Sequence, residues 1–343
     1  MPELGLLVSR VLSPDEQHTP QRGDRRMRIG LMIEGQAGLT WERWIHILHT
    51  AERLEFPSIF RSDHYVIGAP KSSLDAYLTF AVAARETSSI RFGPLVTPVT
   101  FRSPQDVGRM AAQINQLSDG RFLLGLGAGW HEPEHVQFGI PFPPLRERFD
   151  RLEEAINIIK KLWGPGPASY KGEHYQIKDV DCLPKPVYGA DTPILIGGSG
   201  ETRTLPLVAK YADEWNAVNV PIGLYQHKVD VLEAACTAID RDPATVHRSR
   251  TSMALVAGDE RSLDRMTRWH MSLSGATGSP SAWRKEKAEN NNFLVGLTSE
   301  LVDTLGKFAD MGVEEVQFEH FNYGSDEWPE YLAREIAPQV AAF

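Results

Sequence analysis

Short apolar runs alternate with stretches of helical periodicity along most of the chain. The first run, 27–33, stops at Glu34-Gly35-Gln36. Thr40 then stands where an N-cap belongs, ahead of Trp41, Trp44, Ile45, Leu48 and Ala51 at the spacing of a buried helical stripe. Strands are read at 58–60 and 89–96, with a helix over 73–86 between them. Ser103-Pro104 opens another helix, whose face is Val107, Met110, Ala111, Ile114 and Leu117 and whose stop is Gly120. A fourth strand, 122–126, runs into Gly127-Ala128-Gly129. A proline-rich loop over 130–144 follows, then a helix over 145–163. A small hairpin centred on Lys171-Gly172 precedes the fifth strand, 193–196, and Gly197-Gly198-Ser199-Gly200 ends it. The remaining strands are read at 214–218, 251–257 and 315–319. A helix with Tyr225, Val229, Leu232 and Cys236 on one face follows the first of these. A polar excursion over 259–297, mobile between 272 and 292, follows the second. Thr298 caps the next helix, and a last helix spans 326–340.

Eight strands alternating with helices predict an α/β fold, a (β/α)8 TIM barrel with insertions after strands four and seven. A doubly wound sheet is the competing arrangement. It requires a Gly-x-Gly-x-x-Gly turn after the first strand, and Glu34-Gly-Gln-Ala-Gly-Leu does not supply one. Residues 27–343 read as one domain. Residues 1–26 read as a poorly ordered leader, without the long apolar run of a signal peptide.

Composition narrows the function. A net charge of −9 argues against a nucleic-acid footprint. Two cysteines fit a reducing, cytoplasmic setting. No apolar run reaches membrane-spanning length. The histidines show no metal-ligand spacing, and there is no Gly-x-Ser-x-Gly elbow, so neither a metal site nor a serine hydrolase is expected.

The chemistry-bearing side chains fall at strand ends: Glu34, Asp63, His64, Thr97, His131, Glu132, Asn216 and His320, with the glycines at 197–200. In a barrel these converge on one mouth. Gly197, Gly198, Ser199 and Gly200 form a turn whose amides can hold a phosphate, or one that is merely a tight strand-to-helix connection. Gly127, Ala128 and Gly129 admit the same two readings. His64 can exchange a proton near neutral pH, although adjacent residues on an extended segment face opposite ways and Asp63 need not touch it. His131-Glu132 is a second acid–base pair or a plain surface loop.

The same stretches carry a resemblance. Gly30-Leu-Met-Ile-Glu-Gly-Gln36, Arg61-Ser-Asp-His64, Gly93-Pro-Leu-Val-Thr-Pro98, Gly125-Leu-Gly-Ala-Gly-Trp-His-Glu-Pro-Glu134, Ile196-Gly-Gly-Ser-Gly200 and Ala212-Asp-Glu-Trp-Asn216, in this order, resemble the luciferase-like flavin monooxygenase and deazaflavin-dependent oxidoreductase superfamily, and most of all its coenzyme F420 branch. The resemblance implies a (β/α)8 barrel with the cofactor across its mouth. Gly197, Gly198, Ser199 and Gly200 would hold the phosphate. Asp63 and His64 would lie beside the ring, and a cis peptide between Leu95 and Val96 behind it. Glu34, Thr97, Gly127, Ala128 and Gly129 complete the cofactor-binding set.

His64 and Glu132 are the implied catalytic residues, in a hydride transfer between deazaflavin C5 and a small organic molecule such as an enone or alcohol. Tyr65-Val-Ile-Gly68 replaces the segment that carries a tryptophan in the family's sugar-phosphate dehydrogenases, which counts against glucose 6-phosphate. The resemblance also implies a homodimer. An FMN-dependent monooxygenase and a non-catalytic accessory barrel are the alternatives.

Overall fold

The computed structural model describes residues 26–69 and 71–343, so the expected leader lies outside it save for Arg26. In chain order the structure runs through β1 (Arg28–Ile33), α1 (Trp41–Arg53), β2 (Ser58–Arg61), α2 (Ala76–Glu86), β3 (Arg91–Pro94), β4 (Thr97–Pro98), α3 (Pro104–Leu117), β5 (Leu124–Gly127), α4 (Glu132–Phe138) and α5 (Leu145–Trp163). The hairpin β6 (Ala168–Lys171) and β7 (Gln176–Val180) follows. Then come β8 (Ile194–Gly197), α6 (Thr204–Tyr211), β9 (Glu214–Val218), α7 (Ile222–Thr237), β10 (His247–Ser252) and β11 (Ala254–Ala257). The last part holds α8 (Glu260–Ser274), α9 (Pro280–Asn291), β12 (Leu294–Leu297), α10 (Thr298–Asp310), β13 (Glu315–His320) and α11 (Glu327–Tyr331).

Nine strands form one parallel sheet in the order β3-β2-β1-β13-β10-β9-β8-β5-β4. Strands β3 and β4 are two halves of one strand divided at Leu95–Val96, so the architecture is the eight-fold barrel expected. A parallel bridge between Phe92 and Phe122 joins the two ends of the sheet. The helix starts follow local chemistry: Thr40, Asp75 and Ser103 accept amides of the first turns of α1, α2 and α3. Apolar stripes on the helices cover the outside of the barrel and make the main core, with Trp44, Phe80, Phe92, Trp163, Trp215 and Phe308 buried in it.

The barrel interior is layered. At the amino-terminal floor Arg91 binds Glu214 at 2.6 Å and Glu315 at 3.1 Å, and Arg28 binds Glu315 at 3.0 Å. Ser58 and Ser249 donate to the same two carboxylates. Burial works to raise the Glu315 carboxyl, but the two guanidinium groups outweigh it and hold it down at about 2. Above the floor, Met32, Phe60, Leu95, Leu123 and Leu195 pack together. Beside them Asn216 donates to Ser249 and Gln317, at 3.0 Å each. Asn216, expected at the mouth, therefore belongs to the mid-barrel layer: it lies in the middle of β9, not at its end.

Three boundaries differ from expectation. The seventh barrel strand is His247–Ser252, not 251–257; the more apolar β11 leaves the barrel and pairs in parallel with β12 as a separate two-stranded sheet. The apolar run misled because the interior face here is polar, Ser249 and Thr251 both bonding toward Asn216. The excursion expected as mobile is ordered: α8 and α9 pack with β11 and β12 around Leu255, Ala257, Leu263, Trp283 and Phe293. Thr298 is the first residue of α10, not its cap, and its hydroxyl meets the Tyr331 hydroxyl.

The floor network yields a stability prediction. Arg91→Met leaves two buried carboxylates short of their shared cation. Urea denaturation is expected to show a loss of about 3–5 kcal/mol, the cost of breaking a buried ion pair from one side; a loss under about 1 kcal/mol would mean that Arg28 and the serines compensate alone.

Candidate active site

At the carboxyl end of the barrel, the ends of β1 and β2 are tied together by a chain of short contacts. The Gln36 amide donates to Glu34 at 2.6 Å, Ser62 donates to Gln36 at 2.7 Å, and the Gly35 amide donates to Ser62 at 3.1 Å. Tyr323 donates to the Glu34 carbonyl at 2.5 Å. These bonds fix where the next residues of β2 emerge.

Asp63 is buried and fully engaged. Arg102 binds its carboxylate at 2.6 Å and 3.3 Å, and Thr97 donates to it at 2.9 Å. Arg102 also reaches Asp75, and Thr97 meets the Tyr77 hydroxyl at 3.0 Å. Asp63 thus positions Thr97 at the start of β4, and it makes no hydrogen bond to His64. The alternation of an extended segment sends the neighbouring His64 the other way.

His64 meets Glu134, not Glu132. Its Nδ1 lies 2.7 Å from Glu134, whose other oxygen accepts the Tyr65 amide at 2.9 Å and the Val66 amide at 3.4 Å. Glu132 begins α4 and is exposed, whereas Glu134 has no exposed surface. One turn of helix explains the exchange: His131, Glu134 and His135 sit at i, i+3 and i+4, on one face. Reading 130–144 as a loop hid that face. His135, also missed, binds the His131 carbonyl at 2.8 Å through Nδ1 and the Thr100 hydroxyl at 2.7 Å through Nε2. The Trp130 and His131 rings meet the His64 ring edge-on at 5.6 Å and 6.2 Å.

The electrostatics favour an imidazolium. Burial pulls His64 down, but the hydrogen bond and charge of Glu134, with smaller help from Glu34 and Asp63, outweigh it and hold His64 above its ordinary value. Burial pushes Glu134 up, and the His64 bond and charge with the two amides bring it below its ordinary value.

The peptide between Leu95 and Val96 is cis, at the position the resemblance implies. Val96 reaches into the mouth between two neighbouring strand ends. A Cβ on Gly127 would come within 2.6 Å of one Val96 methyl, and a Cβ on Gly197 within 2.9 Å of the other. A Cβ on Gly125 would meet the Pro94 carbonyl at 2.1 Å. Glycine is required at these positions by close approach. Gly129 adopts a left-handed φ of 78°, and its carbonyl accepts from Arg148 at 3.1 Å.

The 197–200 turn is only partly free. The Gly198 amide donates to the Asn216 carbonyl at 3.0 Å, and the Gly198 carbonyl accepts from Trp215 at 2.7 Å. Among the described residues the Ser199 and Gly200 amides have no acceptor. Ala128 is half-buried and packs against the main core.

Glu319 completes the mouth and was not singled out from the sequence. Glu315, Gln317 and Glu319 alternate along β13, and the first two face the barrel interior, so Glu319 does too. His320 lies on the other face, its ring 5.8 Å from that of Tyr323. Three polar residues at period two were the available signal.

A model of the luciferase-like monooxygenase family matches residues 26–312. The chain belongs to this family. It is 30% identical over 222 residues to a pyrimidine monooxygenase of Stutzerimonas stutzeri, the match covering 63% of this chain and 59% of that protein. It is 28% identical to an F420-dependent hydroxymycolic acid dehydrogenase of Mycobacterium tuberculosis, across 80% of this chain and 74% of the relative. The fold matches that of the coenzyme F420-dependent tetrahydromethanopterin reductase of Methanopyrus kandleri with a TM-score of 0.74 at 17% identity, covering 92% of this chain and 99% of that one. These relatives are a monooxygenase, a dehydrogenase and a reductase, and the chain spans about three fifths of the length of the first. Among the described residues no helix is long and apolar enough to cross a membrane, and no cluster of three ligating side chains offers a metal site.

The His64–Glu134 pair predicts a pH signature. A raised His64 and a lowered Glu134 both stabilise the fold. Their joint contribution is fully present between the unfolded-state values of about 4.3 and about 6.5. It fades as pH rises through the folded His64 value and as pH falls through that of Glu134. NMR titration of the His64 ring is expected to give a pKa above the ordinary one, and Glu134→Gln to lower it; an unchanged value in the variant would exclude the coupling.

Proposed function

We propose that this protein is an F420-dependent oxidoreductase that moves a hydride between the deazaflavin and a small organic molecule. The observation that carries the reading is the buried His64–Glu134 pair at the barrel mouth, on the strand-two segment Asp63-His64. A two-electron exchange with an alcohol, ketone or enone has to move a proton as well, and a positioned imidazole held near its charged form suits that task.

The residues at the mouth fit the cofactor. The amides of Ser199 and Gly200 are free for a phosphate, with Gly197 and Gly198 shaping the turn that presents them. Val96, set between Gly127 and Gly197, and Leu95 beside it offer an apolar backing for a flat ring. Asp63, Thr97 and Glu34 are each fixed by several bonds, so the polar edge of the site is pre-organised. Gly127, Ala128 and Gly129 keep the backbone low enough for close approach. When bound, the deazaflavin supplies a two-electron hydride carrier that reacts poorly with oxygen.

In this reading His64 gives or takes the substrate proton through Nε2. Glu134 orients the ring through Nδ1 and stabilises its charge. Glu132, exposed at the start of α4, has no part in the transfer. Trp130 and His131 set their rings edge-on against the imidazole. The homodimer belongs to the same reading, and light scattering would register it.

A second reading, an FMN-dependent monooxygenase on this scaffold, draws on the similarity to the pyrimidine monooxygenase. Parallel fluorescence titrations with F420 and FMN separate the two. Saturable binding of F420 in preference to FMN is expected; preference for FMN would replace the first reading by the second. With a turned-over substrate, His64→Ala is expected to lower kcat by roughly 10²–10⁴ while cofactor affinity holds within about threefold. Undiminished turnover would remove His64 from the mechanism.

A further inference from the structure

A cavity of about 440 Å³ opens on the same face, between the α8 insertion and the segment after β13. Neither His64 nor Glu134 lines it. Its walls are largely apolar, with Met266, Trp269, Phe321 and Trp328. Glu319 is the lining residue that comes from the barrel interior. Among the described residues its carboxyl has neither a hydrogen-bond partner nor a cation. Its diagonal neighbour across β1 is Glu34, whose own carboxylate is occupied by Gln36.

We propose that Glu319 is a specificity-determining residue that donates a hydrogen bond from a neutral carboxylic acid to a carbonyl oxygen of an uncharged, apolar substrate in this cavity. The inference rests on the reading of the protein as an oxidoreductase of small organic molecules, and it names their class: ketones and enones, with organic anions excluded.

The surroundings supply the reason. Burial, and then the nearby Glu34 charge, raise the Glu319 carboxyl well above its ordinary value. Nothing in the cavity opposes them. His270 is pushed down to about 4 by burial, and His320 likewise, so both rings are neutral at pH 7. Arg265, at the rim, is mostly exposed and faces Glu327 at 3.3 Å. An acid kept neutral this way is a donor, and the most economical partner for a lone donor in an apolar chamber is a single acceptor oxygen. A carboxylate ligand would bring a second negative charge toward Glu34, and the lining cation, Arg265, is mostly exposed at the rim and already faces Glu327.

The test uses the full-length protein and two near-isosteric probes, cyclohexyl methyl ketone and cyclohexanecarboxylate, in titration calorimetry at pH 7. On the unmodified protein the ketone is expected to bind at least about tenfold more tightly than the carboxylate, the cost of an unmatched buried group. Glu319→Gln keeps a neutral donor and should hold ketone affinity within about threefold, while Glu319→Leu removes the donor and should weaken it about tenfold. The leucine variant relieves an unpaired, half-buried acid and is expected to remain folded; the two-probe comparison on the unmodified protein needs no variant at all.

Equal affinity for the two probes, no ketone binding, or a leucine variant that binds the ketone as well as the parent would each overturn the proposal. An F420 titration on the same samples separates the claims. If F420 binds while ketone affinity ignores position 319, the cavity proposal alone falls; if ketone affinity follows position 319 while F420 does not bind, the cofactor reading alone falls.

Discussion

The mouth of this barrel depends on one steric constraint: Val96 has to fit among strand ends that carry no side chains of their own. Gly127 on β5 and Gly197 on β8 leave room for its two methyl groups, and Gly125 leaves room for the Pro94 carbonyl just before it. Overpacking at such contacts is costly, because an added Cβ would meet Val96 or the Pro94 carbonyl below van der Waals distance. With these glycines in place β4 pairs with β5, the barrel closes, and Thr97 sits where Asp63, itself held by Arg102, accepts from it. The polar positions at the mouth are consequences of that fit. Asp63 fixes Thr97, the Ser62–Gln36–Glu34 chain fixes the end of β1, and His64 is directed away from both toward α4.

Charge is distributed by depth. The floor gathers its carboxylates around Arg91 and Arg28 and compensates them there. The middle layer is apolar or amide, so it transmits no net charge upward. The mouth keeps two differently treated acids. Burial pushes Glu134 up, but His64 and two backbone amides outweigh it and bring it below its ordinary value, whereas burial and then the Glu34 charge raise Glu319 above its own. Two carboxyl groups on the same face therefore have opposite roles set by their partners alone.

The architecture was legible in the sequence because strand and helix periods alternate cleanly and because Thr40 and Ser103 mark helix starts by their own chemistry. The glycines at 125–129 and 197–200 were legible as turns, but not as the two sides of a slot for Val96, since that is a contact between strands distant in sequence. Strand seven was misplaced because its barrel-facing residues are polar and the apolar run beyond it belongs to another sheet. Glu134 and His135 were hidden by four prolines that made a helix read as a loop. Glu319 was overlooked beside His320, although the alternation of β13 orients the glutamate inward and the histidine outward.

The insertion after β10 has its own small core. Leu255, Ala257, Leu263, Trp283, Phe293 and Leu297 pack on one another instead of on the barrel. Ala254, Val256 and Leu294 tie this module to the main core, while its other face packs on itself. A wall of the cavity can be rewritten through Met266 and Trp269 without disturbing the strand ends that seat the cofactor-facing groups. Such a division lets one scaffold acquire new substrate ranges by exchanging a peripheral module, with the inherited chemistry left untouched.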